Sequence, residues 1–185
     1  MSDIRGYTTI AEHADPAELA QQLNRHRAEM NRAILGAGGT VMQYVGDAVM
    51  AVFGAPEAIN DHAERAVEAA QAMHTAQDAV NAEWATEGRA PFGIGIGLST
   101  GVVAAALLGS EERVEYTVVG DAVNLCQRLQ QFAEPGQTVL SETTWQALAT
   151  PPAEAEKLEP QFVKGRDSPV VAFRIGPEPG RNRPA

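Results

Sequence analysis

Residues 40–45 and 48–53, Thr-Val-Met-Gln-Tyr-Val and Ala-Val-Met-Ala-Val-Phe, are two apolar runs separated only by Gly46-Asp47. Valine, tyrosine and phenylalanine suit a pleated strand, and a two-residue connection with Gly first fits a type II′ hairpin turn. The runs are mostly apolar rather than alternating, which predicts that both faces are covered. A carboxylate at the tip of such a hairpin is held on rigid strands, where it can present oxygens to a ligand or a metal. Gly-Asp is also ordinary turn chemistry. A second stretch, Ser2-Asp-Ile-Arg-Gly-Tyr-Thr8, offers another carboxylate near the end of an apparent strand.

With 185 residues and 44% hydrophobic composition, the chain can bury one core and is read as one domain. A net charge of −10 argues against nucleic-acid binding, which favours a basic face. An acidic chain that binds a polyanion needs local cations or metal ions. The single Cys126 excludes an internal disulfide and fits a reducing compartment. No stretch approaches the roughly 20 apolar residues of a membrane helix, and no signal peptide opens the chain. The expectation is a soluble, cytoplasmic domain without membrane contact.

The first strand is abrupt: the apolar residues expected before Met1-Ser2-Asp3 are absent, so the strand is truncated or the chain starts inside a longer protein. Asp15-Pro16-Ala17-Glu18 reads as a helix start, and Leu19, Leu23, Met30 and Ile34 then share one face up to the glycines at 36, 38 and 39. Asp61-His62-Ala63-Glu64 repeats the capping pattern for a second helix. Ala63, Val67, Ala70, Met73, Val80 and Trp84 form its apolar side, and Gly88 closes it. Phe92, Ile94, Ile96 and Leu98 alternate with glycines, which indicates a strand whose far face lets another element approach closely. The run to Leu108 is read as a continuation of that strand past Ser99-Thr100-Gly101.

Residues 115–119 read as a strand. A helix follows from Asp121, with Val123, Leu125, Leu129 and Phe132 as apolar contacts, ending at Pro135-Gly136. A short strand at 138–140, a Ser141-capped helix with Trp145 and Leu148, and a hairpin of 162–165 with 170–175 complete the chain, and residues 176–185 are expected to be disordered. The order βαββαβ predicts an α+β fold: a ferredoxin-like sheet with helices on one face, plus a C-terminal βαββ extension.

Asp3 and Asp47 lie on strands that this fold makes neighbours. Two carboxylates with few other polar groups suit Mg²⁺, which keeps positions for phosphate oxygens. Asn124 and Arg128 are four apart on one helix face, where an amide and a guanidinium can orient a ribose and stabilise a phosphoryl group, or simply face solvent. Asp121 reads as a cap, Cys126 as a small core residue, and His13, His26, His62 and His74 as structural, since they lack zinc-site spacing. Lys164 could meet a terminal phosphate or stand solvated. No Walker A loop, nucleophile elbow or dinucleotide fingerprint occurs.

Four stretches, Ser2-Asp-Ile-Arg-Gly-Tyr-Thr8, Val45-Gly-Asp-Ala-Val-Met-Ala-Val-Phe-Gly54, Glu115-Tyr-Thr-Val-Val-Gly-Asp-Ala-Val-Asn124 with Arg128, and Val163-Lys-Gly165 with Pro169-Val170, together resemble the class III nucleotidyl cyclase catalytic domain, in order across residues 1–175. The resemblance implies conversion of a nucleoside triphosphate to a 3′,5′-cyclic monophosphate and pyrophosphate, read here as ATP to 3′,5′-cyclic AMP. It implies two Mg²⁺ or Mn²⁺ ions per site, held by Asp3, Asp47 and the Ile4 carbonyl. Asn124 would orient the ribose, Arg128 would stabilise the α-phosphate, and Lys164 would bind the polyphosphate. The family's sites are shared between subunits, which implies a head-to-tail homodimer.

Gln43 and Thr117 fall at the base-reading positions. Adenylyl members usually place Lys at the first and Asp, or Thr in bacteria, at the second. Guanylyl members usually place Glu at the first and Cys or a similar residue at the second. A Gln amide can flip to suit either base and Thr is both donor and acceptor, so the pair discriminates weakly; ATP is the chosen substrate because Thr here resembles bacterial adenylyl members, with GTP the alternative. A guanylyl or mixed-specificity cyclase, a weakly catalytic nucleotide-binding regulatory domain, and a ligand-free dimerisation domain are the competing readings.

Overall fold

The computed structural model describes residues 1–109, 114–160, 162 and 169–177. In chain order the elements are β1 (Ser2–Ile4), α1 (Tyr7–His13), α2 (Pro16–Gly36), β2 (Thr40–Val45), β3 (Ala48–Val52), α3 (His62–Thr86) and β4 (Ile94–Leu98). There follow β5 (Ala104–Gly109), β6 (Val114–Val119), α4 (Asp121–Phe132), β7 (Thr138–Ser141), α5 (Glu142–Ala147), β8 (Glu156–Lys157) and β9 (Ala172–Ile175). The main sheet runs β2-β3-β1-β4-β7-β9-β8, antiparallel throughout except for β4 beside β7. Its first four strands have the ferredoxin-like order, so the α+β expectation holds.

The two long helices form where the sequence placed them. Asp15 caps α2 by accepting hydrogen bonds from the Ala17 and Glu18 amides at 2.9 and 3.0 Å, with Pro16 at the first helical position. The six apolar residues read on α3 are all buried, and they join Leu19, Met30 and Ile34 of α2 against Ile4, Val49, Ile94, Ile96 and Leu98. Both helices of the βαββαβ unit therefore cover one face of the sheet. Helix α4, from the extension, covers the other: Leu125 and Leu129 pack with Val139 and Ala172 in a second cluster.

The alternating glycines of β4 explain that second layer. A Cβ on Gly97 would stand 2.4 Å from the Cys126 carbonyl oxygen and from the Gln130 nitrogen, both backbone atoms of α4. Bare backbone on this side of the strand lets the helix lie directly on it.

Two local readings change, and one short helix is added. Residues 104–109 do not extend β4, whose two edges are taken by β1 and β7; they pair with β6 in a separate two-stranded ribbon, Ala104 opposite Val119. Gly6, at φ 70°, ends β1, and Tyr7 begins a short helix with no fully buried residue, too weakly patterned to read. Asp61 does not cap α3 through its side chain but pairs with Arg65 at 2.9 Å. Strand β9 pairs with β7 and β8, and the 162–165 arm of the expected hairpin falls mostly on residues outside the described ones. Of that stretch Phe162 is exposed, and the rest, with residues 178–185 of the expected tail, lies outside the described residues. Among the described residues no helix is long and apolar enough to cross a membrane.

Candidate active site

The site begins at the hairpin. Val45 pairs with Ala48 across a two-residue loop, Gly46 has φ 61°, and no non-glycine residue among the described residues has positive φ. Only the first loop position is left-handed, as a type II′ turn requires. Helix α2 fixes the tip from below. Arg27 donates from Nη2 to the Gly46 carbonyl, and its guanidinium lies 4.8 Å from the centre of the Tyr44 ring.

That turn delivers Asp47 to the end of β1. The Ile4 amide donates to Asp47 Oδ2 at 2.9 Å, and the Asp3 and Asp47 carboxyls are hydrogen-bonded to each other. Asp3 lies opposite Gly95 of β4, on the α4 side of the sheet, while its neighbours Ser2 and Ile4 face the core. Gln130 of α4 donates from Nε2 to Asp3 Oδ2 at 3.2 Å. Burial, followed by the hydrogen bond and the charge of Asp47, pushes the Asp3 carboxyl up to about 6; Arg5 and Gln130 oppose the rise. Burial pulls the Arg5 guanidinium down, against the charges of Asp3 and Asp47.

Two carboxyls brought this close repel when both are ionised, and the charge of Arg5 offsets part of that repulsion. Hard oxygens at such a spacing fit Mg²⁺ or Mn²⁺, with the Ile4 carbonyl adjacent. Among the described residues no group of three or more His, Cys, Asp or Glu is arranged to hold a metal. Two carboxylates would therefore share an ion with substrate oxygens rather than cage it. A cavity of about 460 Å³ lies elsewhere, on the core side of β1 against Val49, Met73, Ile96 and Leu98, and neither aspartate lines it.

The remaining candidates fall into two groups. Gln43 follows a β-bulge at Met42, where the register steps from Val41–Ala51 to Gln43–Met50. Strand β2 packs against β6, so half-buried Gln43 and Thr117 lie on neighbouring strands. Asn124 and Arg128 share the outer side of α4, where Arg128 Nη1 reaches Gln131 Oε1 at 3.5 Å. At 3.6 residues per turn, Gln130 points roughly 200° away from Arg128. One chain therefore does not bring Asn124 and Arg128 to its own Asp3 and Asp47. Asp121 is the first residue of α4, after Gly120 at the cap position. Cys126 is partly buried and donates to the Gly97 carbonyl at 3.0 Å, a packing role. Lys164 lies outside the described residues.

A family model described as the adenylate and guanylate cyclase catalytic domain matches residues 1–175. The chain belongs to this family. The cyclase domain is 33% identical to an adenylate cyclase of Anabaena cylindrica, over 94% of this chain and 35% of that protein. It is 29% identical to adenylate cyclase 1 of Rhizobium meliloti, over 94% of this chain and 26% of that protein. It thus spans about a third or less of these curated relatives. Among solved structures, the guanylyl cyclase Cya2 superposes with a TM-score of 0.86 at 35% identity, covering 97% of this chain and 92% of that one. The adenylyl cyclase CyaB from P. aeruginosa gives a TM-score of 0.89 at 30% identity, covering 96% and 91%. Cyclases of both nucleotide classes are thus near relatives.

Three residues that the sequence reading passed over shape the site: Arg5, Arg27 and Gln130. Arg5 stands within the Ser2–Thr8 stretch, between Asp3 and Gly6, and is its readable signal. Nothing in the sequence marks Arg27 or Gln130, because their partners come from distant strands.

Proposed function

We propose that residues 1–175 form a cyclase domain that converts ATP to 3′,5′-cyclic AMP and pyrophosphate, at sites shared between two copies of the chain. The observation that carries this reading is the Asp3–Asp47 pair, which the Ile4 amide ties together at the end of β1. Asp3, Asp47 and the Ile4 carbonyl would hold Mg²⁺ or Mn²⁺, two ions per site. Bound there, the ions supply acidification of the ribose 3′-hydroxyl and neutralisation of phosphate charge.

The chain's own groups do the rest. Asn124 orients the ribose of the nucleotide held by the partner's aspartates, which fixes the 3′-oxygen in line with the α-phosphorus. Arg128 donates to α-phosphate oxygens as the 3′-oxygen bonds to phosphorus and the bond to pyrophosphate breaks. Lys164 binds the terminal phosphates. Gln43 and Thr117 hydrogen-bond the base edge, and their neighbouring strands support that pairing. The exposed apolar side chains of Tyr44, Val45, Leu107 and Val119, on the hairpin and the ribbon, supply a surface for the second copy.

A guanylyl or mixed-specificity reading is supported by the same two residues, since both are neutral and each can donate and accept. Side-by-side incubation of the purified protein with ATP and GTP in Mn²⁺, followed by chromatographic identification of products, separates the readings. Cyclic AMP from ATP is expected, lost in Asp47→Asn. Cyclic GMP from GTP without cyclic AMP from ATP overturns the adenine choice. Neither product leaves a nucleotide-binding domain without turnover.

A further inference from the structure

Two polar side chains beside the carboxylate pair have no task in that reaction. Gln130 is only 4% exposed, and a buried amide is retained where it has a partner to hold. Its Nε2 donates to Asp3 Oδ2 at 3.2 Å, and its backbone carbonyl accepts from Arg5 Nη2. Arg5 is half-buried, and its charge acts on both Asp3 and Asp47. Among the described residues it forms no ion pair within 4 Å, and its Nε–H has no hydrogen-bond partner. The guanidinium is instead laid over β4, where a Cβ on Gly95 would stand 2.5 Å from Nε and from Nη2. Asp3 and Gly95 are register partners, so the glycine opposite the carboxylate makes the seat for the cation beside it.

We propose that Arg5 and Gln130 form a bracket that sets how the aspartate pair takes up a divalent cation. Gln130 is a positioning residue that orients Asp3. Arg5 is a resident counter-cation, held off the carboxylate oxygens by its bond to the Gln130 carbonyl. Tethered this way, it offsets the repulsion of two carboxylates without occupying their lone pairs. The same fixed positive charge opposes an incoming dication, so it lowers affinity while the amide raises it. The inference rests on the metal-binding reading of Asp3 and Asp47.

The two halves of the bracket predict opposite signs. In a titration of the nucleotide-free protein with Mn²⁺, read by loss of the free-ion paramagnetic resonance signal, Gln130→Met should weaken binding roughly tenfold, the scale of outer-shell partners. Arg5→Gln should tighten it roughly threefold to tenfold by removing a nearby positive charge. Arg5→Lys keeps the charge and should stay within about threefold of the parent. Urea unfolding of each variant without metal shows whether the fold is kept, and Gln130→Asn replaces Gln130→Met where it is not. Weaker binding in Arg5→Gln, or unchanged binding in both Arg5→Gln and the folded Gln130 variant, overturns the bracket. Parent protein that binds Mn²⁺ no better than Asp47→Asn overturns the metal-binding reading, and this inference with it.

Discussion

Asp3 holds its proton up to about pH 6 in the folded chain, against an ordinary value of 3.8. Between those values the native state binds more protons than the unfolded one, so this group's contribution to stability falls as pH rises through the window. Without metal, Asp3→Asn is therefore expected to melt above the parent at pH 7, with the advantage shrinking toward pH 4. Adding Mn²⁺ at pH 7 should reverse the order, since only the parent keeps both carboxylates. Thermal melts across that range check both, and an advantage that does not shrink in acid removes Asp3 as its source. Gly97 is the second sensitive position. Gly97→Ala drives a Cβ into two backbone atoms of α4, so a loss of about 1–3 kcal/mol is expected in urea unfolding, the usual cost of overpacking. The alternating glycines of β4 announce a close approach from the sequence alone. That the approaching atoms belong to Cys126 and Gln130 was not legible, because sequence periodicity describes one element and not its partner.

Elements were legible in proportion to their own patterning. Helices α2 and α3 carry long apolar faces and clear ends, and both form as read. The error at residues 104–109 has a physical origin: a strand's pattern is local, but it continues only where its neighbours run on beside it, and β7 gives way to α5 after Ser141. Buried polar residues were equally hidden. His26 of α2 faces Gln77 Oε1 of α3 at 2.7 Å, Gln77 donates to Asn81 at 2.9 Å, and Asn81 holds both backbone groups of Phe92. These residues look like surface in a helical pattern, yet they pin both helices to the entrance of β4. Phe92 is the apolar hub of that junction, fully buried and edge-on to Tyr7, His26 and Trp84. Phe92→Ala is expected to lose about 3–5 kcal/mol in urea unfolding, and a loss under about 1 kcal/mol would mean the junction repacks.

The whole molecule raises the question of what one chain can do alone. The aspartates were readable as a pair because the βαββαβ order makes their strands neighbours. The distance between them and the outer face of α4 was not, since it depends on which side of the sheet that helix covers. Asn124 and Arg128 face away from the aspartates of their own chain, which favours the shared-site arrangement. Asp47→Ala and Arg128→Ala proteins should each be inactive as homodimers. Mixed equally, they should recover roughly one quarter of the parent rate: half of random pairs are mixed, and each has one intact site of two. Absence of recovery, with mixed dimers isolated by two affinity tags, refutes the shared site.

The glycine seat under α4 has one more effect. With bare backbone of Gly97 against Cys126 and Gln130, α4 has no slack over β4 at that point. Its inner side carries Gln130, against the chain's own Asp3, and its outer side carries Asn124 and Arg128. A load on the outer side of the helix is therefore passed to the strand beneath through backbone contact, rather than absorbed by side chains yielding between them.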